Sequence, residues 1–360
     1  MRTIYKNCNL LDGTKDMTLQ SGMSIAVENG IIVEIGKNIE AGKNDETVDL
    51  TGKYLIPGLI NLHVHLPAGG KPTKKQADTK KLVKLVLMNS LTRKIGVKMC
   101  EGYAKTELMS GVTTLRTVGG VGDFDTVLRD KINAGKVDGP RILASNMAIG
   151  TPGGHMVGSV ACAVNSIDEC IAKVRELGEQ KVDLIKLMIT GGVLDAEVPG
   201  EPGILKMPPE YVKAACDKAH ELGYKVAAHV ESTEGLIVAL ENGVDTIEHG
   251  GRPTEENTAL FRKTGARLIA TLSPAVPFAV MEQAVTGLSD TDLLNGKALW
   301  ENMLAGVKTA LAEGITVGLG TDTGCPFITH YDMWRELWYF VRCCGVSPAF
   351  AIHTATEINA

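Results

Sequence analysis

The spacing of hydrophobic and polar residues changes at about residue 53. Over residues 1–53, short apolar runs alternate with polar positions, and Asn29-Gly30 separates two such runs in IAVENGIIVEIG. An Asn-Gly pair between alternating apolar runs is a strong signal of a β-hairpin, and Asp12-Gly13 predicts a second turn. The pattern therefore predicts a small β subdomain over residues 1–53.

Continuous apolar runs rich in Val, Ile and Leu follow, separated by stretches with helical spacing. Such runs are typical of parallel strands buried on both faces. Ser166-x-x-Glu169 is a capping-box pattern, which supports a helix between two of the runs. Eight strands alternating with helices predict an α/β fold, a (β/α)8 TIM barrel over residues 54–360, with a doubly wound open sheet as the alternative. The runs span residues 54–64, 112–118, 140–145, 182–189, 224–230, 244–249, 266–272 and 315–321.

The composition restricts the class of protein. The 360 residues are 44% hydrophobic and 22% charged, which excludes a disordered chain. A formal net charge of −5 without a long basic cluster argues against a nucleic-acid-binding protein. No apolar run is long enough to span a membrane, and the N-terminus lacks a signal-peptide pattern, so we expect a cytoplasmic protein. The 8 cysteines form no C-x-x-C pair, which fits buried thiols in a reducing compartment.

Polar side chains occur at the ends of four apolar runs and inside a fifth. Because barrel active sites lie at the C-terminal ends of the strands, we expect these side chains to meet at one mouth. His-x-His on a strand places two imidazoles on the same face, which is a metal-chelating geometry. Each residue by itself has a structural interpretation, such as a satisfied polar group, a snorkelling lysine or a helix cap. Their joint occurrence indicates a metal site, with His63 and His65 on the first strand, Lys186 on the fourth, His229 on the fifth, His249 on the sixth and Asp322 on the eighth.

The order of these residues resembles that of the amidohydrolase superfamily. YLIPGLINLHVHL is similar to the opening motif of the superfamily, and GLGTDTGCP is similar to its eighth-strand motif. SGVTTLRTVGG, DGPRILASNMAIGTPGGH and VAAHVES resemble the branch that contains imidazolonepropionase-like amidohydrolases and the Xaa-Pro and Xaa-Arg dipeptidases. The resemblance covers essentially the whole chain. It implies a TIM barrel with a small N-terminal β-sandwich subdomain.

The resemblance also implies a binuclear metal site and its chemistry. Imidazole and carboxylate ligands suit Zn²⁺, the expected metal, and also Mn²⁺, Co²⁺ or Fe²⁺. The implied reaction is attack of a metal-bridging hydroxide on an amide carbonyl, with Asp322 as general base and then general acid. An ammonium cannot bind a cation, whereas a lysine carboxylated by CO₂ can. In the implied arrangement one metal is held by His63, His65 and Asp322, the other by His229 and His249, and carboxylated Lys186 bridges the two.

Three further residues are candidates for substrate binding. His155 follows the third strand in PGGHM. The resemblance implies that it has a catalytic role and donates a hydrogen bond to the carbonyl or the carboxylate of the substrate. The alternative is an ordinary loop histidine. Related dipeptidases carry a tyrosine one or two residues after the fifth-strand histidine. This chain has Glu231 there, which either favours a cationic group or faces solvent. His330 follows Asp322 along the chain and either reaches the mouth or packs in a helix.

The predicted function is hydrolysis of an amide or peptide-type bond in a dipeptide, an N-acyl amino acid or a cyclic amide. The alternatives are a mononuclear deaminase, which generally lacks the strand-four lysine, and a non-catalytic barrel scaffold, which is expected to lack ligands. We expect a small-molecule substrate and a homo-oligomer, with no nucleic-acid or membrane partner. The insertions 66–105 and 273–312 are expected to overhang the mouth as loops or lids. Family members continue past HTATEINA into strands that complete the sandwich, so a chain that stops at Ala360 is either truncated or has an incomplete satellite.

Overall fold

The computed structural model describes residues 1–71, 78–196 and 198–360. Its strands occur in an N-terminal group and a longer series that alternates with helices. The strands are β1 (Arg2–Leu10), β2 (Gln20–Glu28), β3 (Ile31–Gly36), β4 (Glu46–Asp49), β5 (Tyr54–Leu55), β6 (Leu59–Val64), β7 (Val112–Thr117), β8 (Arg141–Leu143), β9 (Ala148–Gly150), β10 (Ala161–Ala163), β11 (Leu184–Met188), β12 (Lys225–Val230), β13 (Thr246–His249), β14 (Arg267–Ala270) and β15 (Val317–Leu319).

The five N-terminal strands form one mixed sheet. Its order is β3-β2-β1-β4, and β5 also pairs with β1. The predicted hairpin joins β2 to β3, and Asn29 and Gly30 both have positive φ angles, 51° and 76°, as a tight hairpin turn requires. No second sheet faces this one within the described residues, so the sandwich stays a prediction.

Eight parallel strands form the barrel, in the order β6, β7, β8, β11, β12, β13, β14 and β15. Hydrogen bonds at two seams close it. The backbone N–H of Asp322, just after β15, donates to the carbonyl of His63 in β6 at 2.9 Å. The N–H of Asp183, just before β11, donates to the carbonyl of Ala144 after β8 at 2.7 Å. The barrel prediction is therefore confirmed.

Helices surround the barrel, and most of them bury apolar residues, whereas α1 buries none. The helix start predicted at Ser166 is present, because its hydroxyl accepts a hydrogen bond from the N–H of Glu169 at 3.1 Å. The reciprocal bond of a capping box is not formed, because the Glu169 carboxylate accepts from the N–H of Asn165 at 2.7 Å instead. Within the described residues, no helix is both long and apolar enough to cross a membrane. The helices are α1 (Thr79–Val86), α2 (Ser90–Met109), α3 (Phe124–Asn133), α4 (Ile167–Glu179), α5 (Pro209–Glu221), α6 (Thr233–Glu241), α7 (Glu255–Thr264), α8 (Leu272–Val280), α9 (Gln283–Thr286), α10 (Asp290–Ala312), α11 (Met333–Cys344) and α12 (Pro348–His353).

The two long insertions are largely helical. The first contains α1 and most of α2, and its residues 72–77 lie outside the described part of the chain. The second contains most of α8 together with α9 and α10. Local caps explain the helices, since Asn89 accepts a hydrogen bond from Thr92 N–H at the start of α2, and Ser289 caps α10 in the same way.

Candidate metal centre

The ends of the barrel strands bring four histidine rings into contact. The ring centroid of His63 lies 5.3 Å from that of His65 and 4.8 Å from that of His249, and the rings of His229 and His249 are 4.7 Å apart. These histidines come from β6, β12 and β13, so they meet only because the strands are parallel and closed into a barrel. The predicted convergence at one mouth is present in the structure.

Asp322 places a carboxylate against the first-strand histidines. Its Oδ1 lies 3.2 Å from Nε2 of His65 and 3.4 Å from Nε2 of His63. Donor atoms of His63, His249 and Asp322 all lie within 4.8 Å of one another. Asp322 and His249 have φ angles of 55° and 68°, in the left-handed region that residues other than glycine seldom adopt. Such backbone strain is concentrated at functional sites.

Each of three histidines is held by a hydrogen bond on its outer nitrogen. Nδ1 of His65 donates to the carbonyl of Gly119 at 2.9 Å, which leaves Nε2 directed at Asp322. Nδ1 of His63 lies 2.8 Å from Glu248, and Nδ1 of His249 lies 2.7 Å from the hydroxyl of Thr271. Partners of this kind fix the tautomer and orientation of metal-binding imidazoles.

Burial keeps the imidazoles of His63, His229 and His249 neutral. It lowers the pKa of His63 to about 4, and it lowers the pKa values of His229 and His249 well below the usual value. A neutral imidazole keeps a lone pair on one nitrogen, and that lone pair is what a metal ion binds. Burial would raise the pKa of Asp322, but His63 and His65 hold it well below its usual range, so Asp322 is a carboxylate.

Lys186 is buried in β11, and only 1% of the residue is exposed. Among residues 1–71, 78–196 and 198–360, nothing forms a hydrogen bond with its Nζ. Burial lowers the pKa of this amine to about 8. Its positive charge would act on the same buried histidines, lowering the pKa values of His63, His229 and His249 further. A buried amine with no acceptor is a costly arrangement that calls for an explanation.

Glu231 and His229 occupy the other side of the cluster. Donor atoms of His229, Glu231 and His249 lie within 4.8 Å of one another, and Oε1 of Glu231 is 3.9 Å from Nε2 of His229. Oε2 of Glu231 is buried, and the described part of the chain offers it no hydrogen-bond partner. Burial, Asp195 and Asp322 raise the pKa of Glu231 well above its usual value. One nitrogen of His229 also contacts the carbonyl of Gly191 at 3.1 Å.

His155 joins the cluster from the loop after the third barrel strand. Its ring stacks on that of His229 with centroids 4.1 Å apart and planes 6° apart. Nδ1 of His155 lies 2.9 Å from Oδ2 of Asp195. The other carboxylate oxygen of Asp195, Oδ1, accepts a hydrogen bond from the N–H of Gly192. Sequence reasoning missed Asp195, which ends a short 3₁₀ helix, Val193–Asp195, that no pattern in the sequence predicted.

His330 is placed differently from the other predicted residues. It is buried, its Nδ1 lies 3.1 Å from Glu107, and its Nε2 donates to the carbonyl of Ala68 at 2.8 Å. Its ring stacks on Tyr103 at 4.7 Å. Both ring nitrogens are thus engaged by the protein, and its contacts join α2 to the loops after β6 and β15.

A second missed feature is the buried pair of Glu248 and Arg116. The guanidinium contacts both carboxylate oxygens, at 2.6 and 2.8 Å, and its Nε donates to the carbonyl of Leu62 at 2.7 Å. Arg116 and His63 hold the pKa of Glu248 well below its usual range although burial would raise it. Arg116 and Glu248 lie in β7 and β13, two short strands that also carry threonines, so neither charge stood out in the sequence.

A closed parallel barrel with histidines and a carboxylate at its C-terminal mouth defines a class of metal-binding TIM-barrel proteins. The model of the amidohydrolase family matches residues 54–360. The chain therefore belongs to the amidohydrolase family, as the sequence motifs predicted.

Similar proteins include hydrolases of several kinds. The chain is 26% identical to ochratoxinase from Aspergillus niger over 326 residues, which is 84% of this chain and 64% of ochratoxinase, so it spans less than two thirds of that relative. The crystal structure of a candidate prolidase from Bifidobacterium longum is 35% identical, with a TM-score of 0.85 over 100% of this chain and 83% of that one. A crystal structure of a Xaa-Pro dipeptidase with bound methionine in the active site is 28% identical, with a TM-score of 0.85 over 100% of this chain and 89% of that one.

Proposed function

We propose that this protein is a binuclear metal-dependent hydrolase of an amide bond in a small molecule. The candidate substrates are dipeptides, N-acyl amino acids and cyclic amides. The observation that carries the proposal is the unpartnered Nζ of Lys186 beside four histidines and Asp322. The names of the similar proteins, which include a Xaa-Pro dipeptidase and an ochratoxinase, support an amide-type substrate.

The residues present fit two divalent cations. Neutral imidazoles with hydrogen-bonded outer nitrogens and an ionised carboxylate are a donor set that suits Zn²⁺. In the proposal, His63, His65 and Asp322 hold one ion, and His229 and His249 hold the other. The buried amine of Lys186 is most simply explained if CO₂ carboxylates it, because the resulting anion has two oxygens that can bridge two cations.

The chemistry follows from where the protein places its own groups. Bound metal ions would supply a water of lowered pKa and polarise the scissile carbonyl. Asp322 accepts the proton of the attacking water and passes it to the leaving nitrogen. The thiol of Cys325 donates to Oδ2 of Asp322 at 3.2 Å, which holds this carboxylate while Oδ1 faces the histidines. His155, held on Nδ1 by Asp195, offers its Nε2 to the carbonyl oxygen or the carboxylate of the substrate.

Glu231 is the proposed specificity residue. Its unpartnered Oε2 is buried at the mouth, and a positively charged nitrogen of the substrate would satisfy it. Substrates with a free amine or a cationic side chain are therefore preferred in this proposal. His330 has a structural role in it, because both of its ring nitrogens already bind Glu107 and Ala68.

The test combines metal counting with a substrate panel. Purified protein is stripped with a chelator and reloaded with Zn²⁺, Mn²⁺ or Co²⁺, and bound metal is measured by mass spectrometry. We expect close to two ions per chain, loss of activity on stripping and recovery on reloading, with dipeptides and N-acyl amino acids as substrates. One ion per chain, with ammonia released from aminated ring compounds, would instead favour a mononuclear deaminase. Full amide hydrolysis by metal-free protein would contradict the proposal.

Two experiments test the assigned residues. Asp322→Asn should keep the fold and lower kcat by about 10²–10⁴-fold, the usual scale for a general acid–base, and retention of more than half of the activity would refute its role.

¹³C NMR after incubation with ¹³CO₂ should show a carbamate on Lys186 in metal-loaded protein and none in Lys186→Ala. Active protein with two metals and a free Lys186 amine would refute the bridge.

A further inference from the structure

The barrel seam between β15 and β6 lacks a regular backbone ladder. On its other side, β15 pairs with β14 at three consecutive positions. Toward β6, the described residues form a single bridge, between Val64 and Thr323, which lies beyond the end of β15. Backbone N–H and C=O groups buried along the seam still need hydrogen-bond partners. These two strands lead to His63, His65 and Asp322, so the seam decides how the ligands proposed for one metal ion meet.

The side chain of Asn359 fills the part of this seam that lies farther from the mouth. Its Nδ2 donates to the carbonyl of Ile60 in β6 at 2.7 Å and to that of Leu319 in β15 at 2.9 Å. Its Oδ1 accepts from the N–H of Leu319 at 2.9 Å. A carboxamide has the same kinds of donor and acceptor as a peptide unit. Asn359 therefore takes the place of the missing ladder between the two strands.

The side chain of Asn61, itself in β6, fills the seam closer to the mouth. Its Oδ1 accepts from the N–H of Thr321 at 3.0 Å and from that of His63 at 3.3 Å. Its Nδ2 donates to the hydroxyl of Thr321 at 2.8 Å. Asn61 is fully buried. Two carboxamides in succession thus connect β6 to the chain up to the residue before Asp322.

Two glycines in GLGTDTGCP make this close approach possible. A Cβ at Gly318 would lie 3.0 Å from Oδ1 of Asn359, and a Cβ at Gly320 would lie 2.6 Å from Cβ of His63. Glycine within or next to a strand often marks a place where another part of the chain approaches closely. A side chain at either position would push β15 away from β6 or from the carboxamide between them.

A rare turn in HTATEINA places Asn359 in the seam. Residues Thr354–Ile358 form a π-helix, and the N–H of Asn359 donates to the carbonyl of Thr354 at 3.0 Å. Turns of this type are rare and are frequently found at functional sites. At the other end of the motif, Nδ1 of His353 donates to the carbonyl of Gly13 at 2.9 Å. The turn is therefore anchored on both sides.

Asp322 needs this support because its backbone is strained. Its φ angle of 55° lies in the left-handed region, which such a residue keeps only where the surrounding structure holds it. The N–H of Asp322 donates to the carbonyl of His63 at 2.9 Å, and the N–H of His65 donates to that of Thr323 at 2.8 Å. Both bonds require the register of β6 and β15 that the two carboxamides set.

We propose that Asn359 and Asn61 are positioning residues that hold Asp322 against His63 and His65. They act through the register of the two strands, since neither side chain is itself a proposed metal ligand. The inference rests on the proposed function in one respect, because it uses metal affinity as a readout. The seam itself is measured in metal-free protein.

The first experiment measures metal affinity by competition with a chelator. Asn359→Ala should weaken binding of one of the two ions by about 10–100-fold, the usual scale for residues that orient metal ligands. Asn61→Ala is an independent second variant with the same expected result. The control Asn257→Ala removes another buried carboxamide, which bonds the backbone of Thr254 and Arg252 at the start of α7. It should lower the midpoint of urea unfolding and keep the wild-type metal affinity.

The second experiment measures amide hydrogen exchange. In metal-free Asn359→Ala, the N–H of Leu319 loses its acceptor, so exchange in residues 315–323 should be at least about 10-fold faster than in wild type, while exchange in β12 stays the same. In wild type, metal should slow exchange in residues 315–323, because coupling between two sites is reciprocal. This comparison needs no variant, so it decides the question even where a substituted chain fails to fold.

Three results would overturn the inference. The first is Asn359→Ala or Asn61→Ala that exchanges faster at the seam yet binds both ions as tightly as wild type. The second is an equal loss of affinity in Asn257→Ala, which would make the effect one of general stability. The third is wild-type exchange in residues 315–323 that bound metal leaves unchanged. Failure of the proposed function gives a different result, namely wild-type protein that binds no metal at all.

Discussion

Replacement of Lys186 by methionine should stabilise the metal-free protein. Under the proposed function, the same variant should bind fewer metal ions than wild type when it is reloaded with metal. Methionine has a similar length and no polar atom, so Lys186→Met fills the same buried space without the unpartnered Nζ. Most substitutions of buried residues destabilise a protein. A gain in stability at this position would mark a group that is kept for function rather than for folding.

The magnitude follows from burial. An unsatisfied buried donor costs about 1–3 kcal/mol, and more when it is charged. A pKa of Lys186 lowered from 10.5 to about 8 corresponds to about 3 kcal/mol at 1.36 kcal/mol per pH unit. We therefore expect Lys186→Met to raise the free energy of unfolding of the metal-free protein by about 1–3 kcal/mol at pH 7.

The pH dependence has a definite sign. Below a pH of about 8, the folded and the unfolded chains both carry the proton of Lys186, so the wild type bears the full penalty. From a pH of about 8 to 10.5, the folded chain has lost that proton while the unfolded chain keeps it, so wild-type stability rises with pH. The advantage of Lys186→Met should shrink across this window.

The assay is urea unfolding of metal-free protein in buffers purged of CO₂, at several pH values from 7 to above the window. Lys263→Met, at an exposed position on α7, is the control and should change the unfolding free energy by less than about 0.5 kcal/mol. A Lys186→Met protein that is less stable than wild type at pH 7, or an advantage that does not change with pH, would refute the reasoning.

Three further predictions concern other buried groups. Glu248→Ala should lower the free energy of unfolding by about 3–5 kcal/mol, because its buried partner Arg116 loses its counter-charge. The control Glu34→Gln, at an exposed ion pair, should lower it by about 1 kcal/mol or less. Equal losses in urea titrations of the two variants would contradict this prediction. Burial raises the pKa of Glu336 from 4.5 to about 7, so the unfolded chain loses this proton first and wild-type stability falls as pH rises through that range. Glu336→Gln should flatten that fall, and an unchanged slope would count against it. Thr271→Val removes the hydroxyl bonded to His249 and should weaken binding of the second metal by about 10–100-fold in a competition titration with a chelator; wild-type affinity would exclude the orienting role.

Much of the metal centre could be predicted because parallel strands end on a common edge. Once the alternating pattern identified a barrel, the positions of His63, His65, His229 and His249 at or near the ends of their strands were enough to predict that they meet. Lys186 stood out for a different reason, because it is a charged residue inside a continuous apolar strand. The Asn29-Gly30 hairpin was equally local, because two positive φ angles in succession favour few residue pairs.

Other features were decided only by the tertiary structure. Glu248 pairs with Arg116 across 132 residues of chain, and Asp195 orients His155 across 40, so neither pair leaves a local trace in the sequence. His330 lies near Asp322 in sequence, yet its ring nitrogens are taken by residues that the loops and α2 bring to it.

The difference between the features that the sequence predicts and those that only the tertiary structure decides has a physical reason. Hydrophobic period, turn residues and caps act over a few residues, so the sequence by itself determined the barrel, the residues at its mouth and the hairpin of the N-terminal sheet. Hydrogen-bond partners of buried charges depend on strand register and on loop paths, which are fixed when the whole core packs. The orientation of each imidazole and the unpartnered state of the Lys186 amine therefore became visible only in the folded chain.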